Sequence, residues 1–157
     1  MPGLPFGAAR QQDIAPELRT YEQIVSIEFI EIDPDMAYPR SFAYRPSEQG
    51  GQTRTRVFSP DLIDADLSEA EARALIDGLD QAGVFDWNRV YRPAQGTFVV
   101  AAREWRLEIV FKSQGFGKTP RPFKVDGENV FPDNYKQVVE GLFGLEERKQ
   151  EGLPEEQ

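Results

Sequence analysis

The chain is 157 residues long, 39% apolar and 11% aromatic, with 27 acidic against 18 basic side chains for a formal charge of −9, and it has neither histidine nor cysteine. That length supports a hydrophobic core of its own, while the missing residue types exclude disulfides, thiolate metal sites, cysteine nucleophiles and every Ser-His-Asp arrangement. The acidic balance opposes bulk binding to phosphate backbones, where Lys and Arg must replace condensed counterions, and no apolar run approaches the ~18 residues of a transmembrane helix.

Residues 1–20 mix Pro2, Gly3, Pro5, Gly7 and Pro16 with polar side chains and hold no period, so they read as a mobile arm before a folded unit at 21–145. Met1–Asp13 lacks the apolar stretch of a signal peptide, which points to the cytoplasm. From Ile24 to Ile32 a β-branched and aromatic run, ended by Asp33-Pro34, predicts a central strand apolar on both faces. Ser41–Arg45 and Thr53–Phe58 alternate around Ser47-Glu48-Gln49-Gly50-Gly51 and predict a hairpin whose loop is longer than two residues.

Ser68-x-x-Glu71 is a capping box. Ala72, Leu75, Ile76, Leu79 and Ala82 then recur at helical spacing, and Gly83 stands where a left-handed residue would end the helix, with Val84, Phe85 and Trp87 anchoring its exit. Thr97–Ala102 and Glu104–Lys112 read as further strands, the second alternating Trp105, Leu107, Ile109 and Phe111 against Arg106, Glu108 and Val110. Pro120 and Pro122 confine their stretch to loop or edge, leaving Phe123–Val125 as a short edge strand. A last helix opens near Pro132-Asp133, carries Tyr135, Val138, Val139, Leu142 and Phe143 on its apolar face and ends by Leu145. Residues 146–157 read as an acidic, disordered tail. The sum is an α+β fold, an antiparallel sheet of about five strands with two helices packed on it and disordered termini.

The strand Trp105-x-Leu107-x-Ile109-x-Phe111, followed by Gly127-x-Asn129-x-x-Pro132-x-Asn134-Tyr135 and an apolar-striped helix, resembles a class of small uncharacterised bacterial α+β domains over residues 20–145. The resemblance implies an order of strands, central helix, Trp-bearing strand, turn and last helix. It implies no activity and no catalytic residue. Exported lipoproteins of that class carry an anchoring cysteine which this chain lacks, so their location does not carry over.

Patterns that bear on chemistry are few. Gly117-Lys118-Thr119 looks like the end of a phosphate loop, but Lys112 stands where the pattern needs glycine, and Pro120 and Pro122 prevent the helix that must follow. Asp126, Glu128, Asn129, Asp133 and Asn134 gather oxygen donors that suit a hard cation, yet their spacing departs from an EF-hand and reads as turn and cap chemistry. Asp61, Asp64, Asp66, Glu69 and Glu71 read as carboxylates favoured at a helix N-terminus. No metal and no cofactor is expected, and catalysis would fall to carboxylates, Lys or Tyr.

Charge is segregated along the chain: residues 60–88 carry eight acidic and one basic side chain, and residues 89–124 eight basic and two acidic. Arg54 and Arg56 alternate on one strand, while Arg103, Arg106, Lys118 and Arg121 crowd around Trp105 and Phe116. Such interleaving could grip a nucleic-acid single strand by stacking, but an inward Trp105 would leave the arginines alone outside. The expectation is therefore a non-catalytic protein-protein interaction module whose partner is another protein, meeting it through Arg54, Arg56, Arg103, Arg106, Phe116, Lys118 and Arg121. The competing readings are a carboxylate- or divalent-metal-dependent hydrolase or transferase and a single-stranded nucleic-acid binder, with no membrane in any of them.

Overall fold

Alternation along the strands decides which face of the sheet is covered. A computed structural model describes residues 12–94 and 102–150, with side chains through 144. In β1 (Ile24–Ile32), Ile27 and Phe29 point to one face and are buried, whereas Glu28 on the other is exposed. The same rule holds in β2 (Arg40–Ser47), which buries Phe42 and Tyr44, and in β6 (Glu104–Phe111), which buries Trp105, Leu107, Ile109 and Phe111. β3 (Gly50–Arg56) pairs with β2, β4 (Ile63–Ser68) with β3, and β7 (Phe123–Glu128) with β6; β5 (Val90–Tyr91) runs parallel to β7, and every other pairing is antiparallel. The result is a seven-stranded mixed sheet in the order β4-β3-β2-β1-β6-β7-β5, with β1 at its centre.

Both helices add their apolar stripes to the one buried cluster. α1 (Glu69–Gln81) contributes Ala72, Leu75, Ile76 and Leu79, and α2 (Tyr135–Gln150) contributes Val138, Val139, Leu142 and Phe143. The capping box forms as expected: Glu71 N–H donates to Ser68 Oγ at 3.1 Å, and Ser68 N–H donates to Glu71 Oε1 at 2.9 Å. Gly83 takes the left-handed conformation beyond the Ala82 cap, with φ 89°.

Several expectations are corrected. The sheet has seven strands in place of five and is mixed, because the Asp-rich stretch before Ser68 pairs with β3 as a strand and the short β5 adds in parallel to β7. The hairpin turn is tight, since Ser47 already pairs with Gly50. α2 continues past Leu145 to Gln150. Within the segment expected to be an arm, Gln12 donates from Nε2 to the Lys124 carbonyl at 2.7 Å, and Ile14 and Leu18 pack against the core. Residues 1–11 of that arm, 151–157 of the tail, and all but the last residue of the strand expected at Thr97–Ala102 lie outside the described residues.

Chain direction sorts the connections between the two ends of the sheet. Segments 33–39, 57–62 and 129–134 meet at the end where β1 finishes, here the upper end. The 48–49 turn and the 112–122 loop lie at the lower end.

Candidate functional site

The Gly-x-Asn-x-x-Pro-x-Asn-Tyr segment turns out to be the frame of the upper end. Gly127 faces Trp105 so closely that a Cβ there would lie 1.9 Å from the indole Nε1, so only glycine leaves the ring its seat. That Nε1 donates to the Val130 carbonyl at 3.0 Å. Asn129, in a left-handed conformation with φ 57°, accepts on Oδ1 from Arg103 N–H at 2.7 Å, and its own N–H donates to the Arg103 carbonyl. Asn134 accepts on Oδ1 from Trp87 Nε1 at 2.7 Å and donates from Nδ2 to the Ala82 carbonyl at 2.6 Å, tying the exit of α1 to the start of α2. Both asparagines of the motif thus satisfy backbone or indole groups, and together they aim Tyr135 and Arg103 at one point.

That point is Glu31. It shares the core face of β1 with Ile27 and Phe29 and is only 2% exposed. A buried carboxylate needs charged or hydrogen-bonding partners, and Glu31 has three. Arg40 donates from Nη2 to Oε1 at 2.8 Å, while Arg103 Nη2 and the Tyr135 hydroxyl both donate to Oε2, at 2.9 and 2.5 Å. Arg40 also lies over the rings of Phe143 and Phe58, and Arg103 over Phe131. Burial, and next the hydrogen bond to Glu31, push the Tyr135 hydroxyl far above the usual tyrosine range. It therefore stays protonated and acts as a donor. With both Glu31 oxygens engaged and Tyr135 held neutral, the cluster offers neither a free base nor a nucleophile. It fixes two guanidinium groups beside an open cleft of about 350 Å³ bordered by Phe131, Lys136 and Val139.

Around this cluster the upper end exposes apolar side chains. Ile32, Met36, Tyr38, Phe58, Leu62 and Ile63 are all more than a third solvent-exposed, and all lie at the finish of β1, in the two connecting loops or at the start of β4. Phe58 adopts φ 54°, a strained conformation for a bulky side chain, and its ring is stacked by Arg40.

The arginines singled out in the sequence are dispersed. Arg54, Arg56 and Arg106 do share the open face of the sheet, but β2 and β1 separate them, so Arg56 and Arg106 stand about 14 Å apart at ordinary strand spacing. Arg54 is matched by Asp64 at 2.7 Å and Arg106 by Asp126 at 3.5 Å, each directly across the ladder. Arg56 donates from Nη2 to the Pro60 carbonyl. Arg103 turns to the opposite, covered face and joins Glu31. Phe116, fully exposed with φ 51°, and Lys118 sit in the lower loop, followed by Arg121 before β7. Trp105 is buried, so its ring is not available for a nucleic-acid strand to stack on. The oxygen donors at 126–134 do not converge either, since Asn129 and Asn134 are committed as above, and among the described residues no three acidic side chains group to hold a metal.

Glu31, Arg40 and Tyr135 were not singled out as site residues in the sequence. A signal existed for Glu31, because period-two alternation puts it on the same face as Ile27 and Phe29, where a charge demands a partner. Comparison with protein-family models, curated proteins and solved structures finds no match to this chain.

Proposed function

We propose that the chain is a non-catalytic protein-interaction module that presents the upper end of its sheet to a partner protein. The observation that carries this reading is that Ile32, Met36, Tyr38, Phe58, Leu62 and Ile63 are all exposed at the upper end of the sheet, the end that also holds Arg40 and Arg103. Aromatic side chains, methionine and arginine are the types enriched at interface centres. Arg54 and Arg106 on the open face support this less well, because their carboxylate partners already balance them within the sheet. Among the described residues no helix is long and apolar enough to cross a membrane. We read the protein as cytoplasmic on its cysteine-free, acidic composition.

The test is retrieval of a partner from host extract by the tagged full chain, with variants that separate the two surfaces. Tyr38→Ala combined with Leu62→Glu is expected to abolish retrieval of a stoichiometric protein while leaving the circular dichroism spectrum unchanged. Arg54→Glu combined with Arg106→Glu is expected to retain it. The opposite pattern, or recovery of no partner across several growth conditions, refutes the reading.

A further inference from the structure

The 112–122 loop between β6 and β7 holds one aromatic ring out from the lower end. Lys112 N–H donates to the Gln23 carbonyl at 2.7 Å and Gln114 Nε2 donates to Gln23 Oε1 at 2.8 Å, which ties the base of the loop to the entry of β1. At the tip, Gln114 N–H donates to the Lys118 carbonyl at 2.7 Å and Lys118 N–H to the Gly115 carbonyl at 2.8 Å, closing a turn with Phe116 and Gly117 at its centre. Both central residues have positive φ, 51° and 76°. Turns of that kind favour Asn-Gly or Asp-Gly, and a bulky side chain in the first central position is strained. The Phe116 ring is fully exposed, so no packing among the described residues offsets the strain. Strained residues of this sort gather where proteins contact ligands. The charges around the ring are also unmatched. Residues 112–125 contain Lys112, Lys118, Arg121 and Lys124 and no carboxylate, in a chain of charge −9. Lys124 pairs with Glu108, whereas Lys112, Lys118 and Arg121 are exposed and form no ion pair among the described residues.

We infer that this loop is a second docking element, at the opposite end of the sheet from the upper surface, and that it inserts the Phe116 ring into an apolar pocket rimmed by carboxylates on another protein. A single aromatic ring on a closed turn brings a large apolar area to an interface at little ordering cost. The three unmatched cations beside it select an acidic rim. A nucleic-acid single strand stacks on successive aromatic platforms, and among the described residues every other large apolar side chain more than a third exposed lies at the upper end. A flat anionic bilayer brought to the lower end would also meet Glu48, exposed in the 48–49 turn. A pocket takes the ring and its flanking cations without that contact. The inference does not depend on the upper-end reading.

The probe is the full-length protein with photoreactive p-benzoylphenylalanine in place of Phe116, produced and irradiated in the host. Irradiation should join it to one host protein, with the cross-link mapped by mass spectrometry to an apolar cavity bordered by aspartate or glutamate on that protein. Lys118→Glu with Arg121→Glu should lower the cross-linking yield about tenfold or more. Tyr38→Ala with Leu62→Glu should leave it unchanged, so the two surfaces fail separately. Phe116→Asn, a residue the turn accepts, should weaken binding to the purified partner by about tenfold or more while Tm stays at or above that of the parent. A Tm lowered by more than about 2 °C assigns the ring to the fold and overturns the inference. It is overturned equally by an unchanged yield in the Lys118/Arg121 variant, by cross-links to many proteins, to a pocket without carboxylates or to a second copy of this chain, and by no cross-link in any growth condition. Phe116-dependent binding to phosphatidylcholine–phosphatidylserine vesicles or to an oligothymidylate also overturns it, and assigns the loop to a membrane or a nucleic acid.

Discussion

Replacing Glu31 by glutamine removes one charge from the centre of the upper end and changes little else in shape. Glu31 Oε2 takes two donors, from Arg103 and Tyr135, and Oε1 takes one, from Arg40. If the new amide keeps its oxygen toward Arg103 and Tyr135, its NH₂ group faces the Arg40 Nη2, donor against donor. In the flipped orientation two donors are opposed. Breaking a fully buried ion pair costs about 3–5 kcal/mol. The side chains of Arg40 and Arg103 retain 22% and 45% of their exposure, so water recovers part of that loss. The expected cost is therefore about 2–4 kcal/mol, a fall in Tm of roughly 5–15 °C for a domain of this size. Calorimetry or thermal circular dichroism at neutral pH measures it. A double-mutant cycle with Tyr135→Phe should give less than additive losses, since both changes remove the same hydrogen bond. A Tm for Glu31→Gln within about 2 °C of the parent refutes the reasoning, because it would mean that the buried carboxylate does not hold the two arginines.

Tyr44 is fully buried and its hydroxyl has no hydrogen-bond partner among the described residues, so Tyr44→Phe should stabilise the protein by about 1 kcal/mol, read as a higher urea midpoint. The same substitution bears on alkaline stability. Burial first, and nearby Tyr21 second, push the Tyr44 hydroxyl up to about 12, whereas in the unfolded chain it ionises near 10. Between those values the unfolded state binds fewer protons than the native state, so stability is complete below about pH 10 and falls as pH rises toward about 12. The gain from Tyr44→Phe should therefore be larger at about pH 11 than at about pH 9; an equal or smaller gain contradicts it. Gly127→Ala places a methyl group inside the Trp105 ring and should cost about 1–3 kcal/mol or more, with an altered near-ultraviolet tryptophan signal. An unchanged spectrum and midpoint would show that the indole does not sit on Gly127.

The elements legible in the sequence are those whose signal is local. The β1 run, the strict alternation of β6, the Ser68–Glu71 capping box and Gly83 at the end of α1 all encode their structure within a few residues, and each forms where expected. β4 was less legible although Ile63, Ala65 and Leu67 alternate with Asp64, Asp66 and Ser68. Its aspartates suit a helix N-terminus equally well, and only pairing with β3, with Arg54 opposite Asp64, decides for the strand. β5 is two residues long and owes its assignment to its parallel neighbour β7.

The candidate site was the least legible part, and the reason is distance along the chain. Arg40, Arg103 and Tyr135 reach Glu31 across sequence separations of 9, 72 and 104 residues. No local pattern distinguishes those arginines from Arg54 or Arg106, which the register sends to the open face. The sequence by itself determined the missing chemistries, the α+β class and which residues of β6, α1 and α2 turn inward, because composition and periodicity are local properties of the chain. Strand order, the company kept by Glu31, and the gathering of exposed apolar residues at one end were decided by the tertiary structure, since each follows from how distant strands pair.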